Sequence, residues 1–563
     1  MRNIRWQLIA LVIGVAMIVG VVVNQLRSRP ASPIVPAVVG EEGGGRYFEA
    51  AVGEPRFINP LLAVSQPDKD LSALIFSGLT RLNPYGEPIP DLAESWEISE
   101  DGTTYTFSLR RNVTWHDGQP FTARDVDFTM SLLRDPTFGG PSNLGTFWST
   151  VETYADSDYT VRFVLTQPLA SFPEFLRIGI LPEHLLRGTT GAGLTGVEFN
   201  LAPVGTGPLQ LESLTREGRV AVAQLVPAPN FYDPARAVSF DQMQLRFYPD
   251  DRAAAGALQR GEVSGMAGLT EEQIAQALES DTLSLYTTLS PTYAAIIFNQ
   301  QDAERLPFFQ DNDVRRALIM ALDRKAMVES VLGGRAVVAE SPILPGNWAF
   351  DALVRMPAYD PEGTAVLLDE EGWLVPDEGG TRARDGLPFS FRLTVSNEPE
   401  FEQLARLAAE GWAAVGVDVQ VDVMDPTAMR EQRLLPRNFD AALVEFGKGG
   451  IADPDPYPFW HQSQIEGGQN ISGFDDRDMS EALETARRDM NGVRRAELYR
   501  EFQRLFAERG AAVLLYYPTY TYAVDCRVAG VQLSMLTDPS DRFRDIGQWR
   551  WLSAAEAEDR CGA

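Results

Sequence analysis

Residues 401–423 read FEQLARLAAEGWAAVGVDVQVDV, and this stretch decides the fold. Its first part, FEQLARLAAEGWAAVG, has the composition of a helix and stops near Gly416. The rest, VDVQVDV, places Val417, Val419, Val421 and Val423 on one face of a strand, with polar residues on the other. Helix, glycine, strand is the αβ half of a doubly wound unit, in which the helix covers one face of a largely parallel sheet.

The neighbouring residues extend this pattern. FDAALVEF at 439–446 is a second strand, and it runs into the loop GKGGIADPDP at 447–456. In open α/β sheets ligands collect where strands end in such loops. Upstream, DVRRALIMALDRKAMVESVLGG reads as one helix. Asp313 caps it, Val314, Ala317, Leu318, Ala321 and Leu322 form its apolar stripe, and Gly333 or Gly334 stops it. The section after about Pro291 is therefore an α/β lobe. The earlier section differs. TYTFSLR and TVRFVL alternate as half-buried strands, through Tyr105, Phe107 and Leu109 and through Val161, Phe163 and Leu165. Between them FTARDVDFTMSLLRD is a helix with Thr122 as cap and Asp125 three residues on, so this section is α+β.

At the N-terminus, residues 8–23 are unbroken apolar, LIALVIGVAMIVGVVV, with Arg2 and Arg5 before them and Arg27 and Arg29 after. At about 1.5 Å per residue this makes roughly 24 Å of helix, near the thickness of a bilayer core. No small-residue cleavage site follows, so residues 1–27 are expected to form an uncleaved membrane anchor, with a cleaved export signal as the alternative. Residues 28–45, SRPASPIVPAVVGEEGGG, form a Pro- and Gly-rich tether from which a folded body can hang at the outer face of the cytoplasmic membrane or in the periplasm.

The 563 residues carry 78 Asp and Glu against 49 Lys and Arg, a net charge of −29, which argues against a nucleic-acid partner. Lysine occurs only at Lys69, Lys325 and Lys448. No phosphate-binding GxxxxGK[ST] loop, HExxH or GxSxG motif is present. The three histidines, His116, His184 and His461, are far apart and read as local structural residues. Asp453 and Asp455 could act as a paired acid and base, but the prolines of ADPDP make a rigid turn the simpler account. No catalytic residue, metal site or cofactor is expected.

Residues 57–128, from FINPLLAVSQPDKD to FTARDVDF, closely resemble the opening of the large solute-binding proteins of peptide-type ABC transporters, the oligopeptide, dipeptide and nickel-binding class. GTGP at 205–208, NFYD at 230–233, IIFN at 296–299, NDVRRALIMALDR at 312–324, YDPEGTAVLLDEEGW at 359–373, ADPDPYPFW, NISGFDD and VLLYYPTYTYAV continue the resemblance in the order of that family. It implies an α/β, bilobed periplasmic-binding-protein-like clamp with an additional small α+β domain. Lobe I would comprise 46–82, 200–291 and 513–563, the small domain 83–199, and lobe II 292–512. It also implies a single chain that captures a peptide or similar small solute by lobe closure and delivers it to ABC permease transmembrane subunits. Segments that face the cleft in similar proteins nominate Ser65 and Gln66, Tyr293 and Asn299, Trp348, Phe446, Lys448, Asp453, Asp455 and Trp460 as ligand contacts, with core packing as the alternative for each aromatic. Peptide binders of the family carry an acidic residue three positions before the DPD element, where it meets the peptide's ammonium; here that position is Gly450. Either Asp453 or Asp455 then takes the role, or the ligand has no free amine, and Lys448 could receive an anionic group instead. Export to an oxidising compartment allows Cys526 and Cys561 to pair, with free thiols as the alternative. The rival functions are a membrane-tethered sensor of the same fold and an extracellular hydrolase.

Overall fold

The computed structural model describes residues 45–218, 220–376, 379–447 and 452–561. The apolar run 8–23 and all but the last residue of the tether lie outside them, as do Lys448 and Gly450. Among the described residues no helix is long and apolar enough to cross a membrane.

Among the described residues two large buried cores divide the chain, with a smaller one, from Phe48 to Met266 with Ala523, belonging to the first lobe. One takes its side chains from the continuous stretch between Tyr293 and Tyr517. The other draws on Tyr47 to Phe247 and again on Tyr520 to Trp551, so the chain leaves the first lobe, builds the second and returns. A twelve-stranded sheet runs through both. Its two halves share the strand Ala512–Asp525, whose first part pairs with Thr292–Phe298 and whose second part pairs with Gly265–Ala267 and Leu283–Leu289. The two crossing segments are tied together where the Ser290 amide donates to the Pro518 carbonyl at 2.8 Å.

In the second lobe the parallel unit expected from residues 401–423 is present. Strand Ser390–Ser396 lies parallel to Asp418–Met424 and to Ala441–Gly447, and helix Pro399–Ala414 connects the first two. Leu404, Ala405, Ala408 and Trp412 form its buried stripe, and Gly416, at φ +84°, allows the reversal into the strand. Asp418–Met424 is the last strand of the sheet, which leaves Val423 exposed while Val417 is buried. The long helix expected over 313–334 is two helices, Asn312–Met320 and Arg324–Leu332. Asp323 causes the break: its carboxylate caps the second helix by accepting from the Ala326 amide at 2.9 Å, and the Arg324 guanidinium turns inward to the carbonyls of Ala339 and Leu514. The first helix is capped by Asp311, two residues before the expected Asp313.

In the first lobe a four-stranded antiparallel sheet, Ala93–Ile98, Thr104–Leu109, Thr160–Leu165 and Val151–Ser157, buries the expected alternate residues. Helix Ala123–Arg134 begins with a complete capping box between Thr122 and Asp125. The GTGP segment passes so close to the helix Gln66–Ile75 that a side chain at Gly205 or Gly207 would strike the backbone at Ile75. His116 fastens that segment through hydrogen bonds to both glycines. Arg542 joins the end of the chain to its beginning, donating to Glu49 at 3.0 Å and to Asp70 at 2.5 Å in a fully buried cluster with Tyr47 and Tyr522. A disulfide links Cys526 to Cys561, with Cα atoms 5.6 Å apart.

Candidate functional site

One helix, Gly492–Glu508, sets the geometry of two candidate wall segments. Arg495, Tyr499 and Gln503 recur every four residues and so share one face, which is buried. A buried polar face is stable only if its groups are paired, and these are. Gln503 donates to the Ala349 carbonyl at 2.9 Å and accepts from the Ser341 hydroxyl and the Asp351 amide, which fixes the segment carrying Trp348. Arg495 donates to Asp453 Oδ2 at 2.5 Å and Tyr499 donates to Asp453 Oδ1 at 3.1 Å, which fixes the loop after the strand Ala441–Gly447. The indole of Trp348 stands edge-on to Tyr499, and the Arg495 guanidinium lies 5.2 Å from its ring centroid.

The same loop touches the first lobe. Glu174, in the short helix Phe172–Phe175, accepts the amides of Ala452 and Asp453 on one oxygen, each at 2.9 Å. Burial, and then the charge of Asp453, push the Glu174 carboxyl up to about 8. The Asn347 side chain holds the loop from the other side by donating to the Ala452 carbonyl at 2.8 Å. Asp455 forms an ion pair with Arg487 at 3.0 Å and accepts the Tyr457 amide. Each carboxylate proposed to meet a ligand ammonium thus already has an arginine beside it.

The other sequence candidates fall into separate groups. Tyr293 and Phe446 are direct partners across two strands, and their rings stack with centroids 5.1 Å apart. Trp460 donates its indole N–H to the Tyr293 hydroxyl at 3.1 Å and packs against Phe446. All three are buried and form one aromatic group at the strand end that leads to the loop. Asn299 sits six residues from Tyr293, about 20 Å along the strand. There it donates to the carbonyls of Phe439 and Arg437 and joins strand ends, apart from the aromatic group. Ser65 caps the helix Gln66–Ile75 through Asp68, and Gln66 donates to Asp70 and Ser540, so both are engaged within the first lobe.

Sequence reading missed Glu174, Arg495 and Tyr499. The stripe of Arg495, Tyr499 and Gln503 was visible as a helical period, although its partner was not. Glu174 carries no periodic signal in SFPEFL. A group of carboxylates close enough to hold a cation, Asp311, Asp313 and Glu371, occurs in the second lobe, where Asp313 is paired with Arg316. His184 pairs with Asp117 and His461 bonds Ser463, both local contacts.

Over residues 87–469, more than half of its length, the chain matches the middle section of the bacterial extracellular solute-binding proteins, family 5. The chain belongs to this family. Its relatives include the oligopeptide-binding protein AppA of Bacillus subtilis, 27% identical over 91% of this chain and 92% of that protein. Protein XP55 of Streptomyces lividans is 31% identical over 84% of each chain. The solved structure of Bacillus subtilis AppA in complex with a nonapeptide superposes with a TM-score of 0.67 at 26% identity, covering 91% of this chain and all of the other. The family 5 member described here is the extracytoplasmic solute-binding component of an ABC importer, and its relatives are binding proteins rather than enzymes.

Proposed function

We propose that this family 5 protein captures a peptide between its lobes against the loop that follows strand Ala441–Gly447, and presents the closed complex to the permease as a monomer held at the membrane by residues 8–23. The observation that carries the proposal is the cross-lobe contact at Glu174. The loop beneath the Tyr293, Phe446 and Trp460 group is one of the segments of the second lobe that meet the first, beside Arg487, whose carbonyl accepts the Ala170 amide, so a solute lodged there would touch both lobes. Ligand that contacts both lobes only when they are together stabilises the closed form by the difference in its affinity for the two forms. Relatives named as oligopeptide-binding and dipeptide-binding support peptide as the solute class. Trp348, Phe446, Lys448, Asp453, Asp455 and Trp460 on the second lobe, with Ser65 and Gln66 on the first and Tyr293 on the crossover strand, form the proposed wall, and Asn299, just past the far end of that strand, lies outside it. The sequence-derived boundaries 46–82, 83–199, 200–291, 292–512 and 513–563 are proposed as its units.

Native mass spectrometry of protein purified from its own host tests this. Retained masses that fragment as peptides are expected. A retained metal chelate, sugar or opine would replace peptide with that class.

A further inference from the structure

A cavity of about 160 Å³ lies in the first lobe between the helix Gln66–Ile75, the hairpin strand Thr80–Leu82 and the turn Pro539–Phe543. Its wall carries four guanidinium groups, Arg81, Arg177, Arg236 and Arg544, against two carboxylates, Asp91 and Asp541. In a chain of net charge −29 this is a local reversal of sign. Three of the arginines have protein partners. Arg236 pairs with Asp91 and Asp233, Arg177 reaches Thr537 and Asp541, and Arg544 pairs with Asp541 and donates to Ser534. Arg81 differs. Its backbone is fixed opposite Ile89 in the hairpin, yet among the described residues its guanidinium makes no hydrogen bond and no ion pair. Burial and the neighbouring Arg236 hold its pKa below the ordinary value, and Asp91 and Asp233 only partly offset them.

A half-buried guanidinium offers five donors in a planar fork that matches an oxyanion, and it loses hydration with nothing in return unless an acceptor is present. At about 30 Å³ per water the cavity has room for one phosphate-sized ion and a few waters. It is well below the roughly 300–1,000 Å³ of pockets that enclose larger organic ligands. We propose that the cavity binds a phosphate-sized oxyanion, held by Arg81 with Arg236, Arg177 and Arg544 around it, in the first lobe and not in the solute loop itself.

Inorganic phosphate is the probe. In thermal unfolding of the full chain, phosphate compared with chloride at equal ionic strength should raise the wild-type Tm saturably. Arg81→Gln should lose the saturable part, and Arg81→Lys should keep only some of it. Phosphate also stabilises proteins by exclusion from their surface, an effect without saturation that all three share. Equilibrium dialysis should find one phosphate per wild-type chain and none for Arg81→Gln. Methyl phosphate separates the sources of the group: equal affinity marks an ester reaching in from the rim, and weaker affinity marks the free ion. No saturable phosphate binding by the wild type, or equal binding by Arg81→Gln, overturns the proposal.

Discussion

The burial of Glu174 against Asp453 predicts that closure of the clamp is sensitive to pH. Its carboxyl titrates near the ordinary value, about 4.3, when exposed to water, and is pushed up to about 8 where it is buried against Asp453. The charged groups around it are Asp453 on the facing loop, Arg177 on its own segment, and Arg495 on the far side of Asp453. A carboxyl whose pKa is higher in the closed form binds its proton more tightly there. Closure is therefore unhindered below the open-form value, becomes harder as pH rises from about 4.3 towards 8, and is constant above that. Solute affinity should fall by up to about tenfold for each pH unit between 5.5 and 7.5, and binding in that range should take up a proton. Glu174→Gln keeps a carbonyl oxygen for the amides of Ala452 and Asp453 but cannot ionise. Its affinity should be flat with pH and at least tenfold higher than wild type at pH 7.5. Isothermal titration with the solute recovered from the host, in buffers of different ionisation heat, measures both the affinity and the proton uptake. A wild-type affinity that does not change with pH, or a Gln variant that follows the wild type, would refute this role for Glu174.

Arg495→Met leaves the Asp453 carboxylate buried without its guanidinium, and urea unfolding should show a loss of about 3–5 kcal/mol. Asp453→Asn retains the contact to Tyr499 and should cost less in the same measurement. Reduction of the Cys526–Cys561 bridge opens a loop with a sequence separation of 35, worth about 3–4 kcal/mol in the chain-entropy account. Two alkylatable cysteines in unreduced, denatured protein would show that no bridge forms. If residues 8–23 anchor the chain, the mature protein begins at or near Met1 and sediments with membranes in high salt. A soluble form starting between residues 24 and 45 would mean a cleaved signal instead.

What the sequence disclosed depended on the range of the interactions. The helix and strand in 401–423 were legible because a period and a terminating glycine are local properties, and the capping box at Thr122 and Asp125 is contained within four residues. Asp323 also acts locally, but its cap competes with a continuous apolar stripe, and the stripe alone suggested one helix. The stacking of Tyr293 on Phe446 depends on strand register, which two isolated strand readings do not supply. Glu174 meets the Asp453 amide 279 positions away, and Arg495 meets its carboxylate across 42. No period or spacing encodes such contacts, so the loop could be named as a site while its partners could not.

The shared strand Ala512–Asp525 also bears on how the protein is made. The second lobe takes its core from one uninterrupted stretch and can complete itself as soon as residue 517 is available. The first lobe cannot. Its opening strand Arg46–Val52 pairs with Gln242–Tyr248, but the buried cluster of Tyr47 and Glu49 on that strand is completed only by Tyr522, Arg542 and Trp549, which are synthesised last. With synthesis at about 5–20 residues per second, the N-terminal half waits tens of seconds for the segments that finish it. During that time it remains an unfinished polymer, the form in which a chain can be threaded across a membrane before it folds.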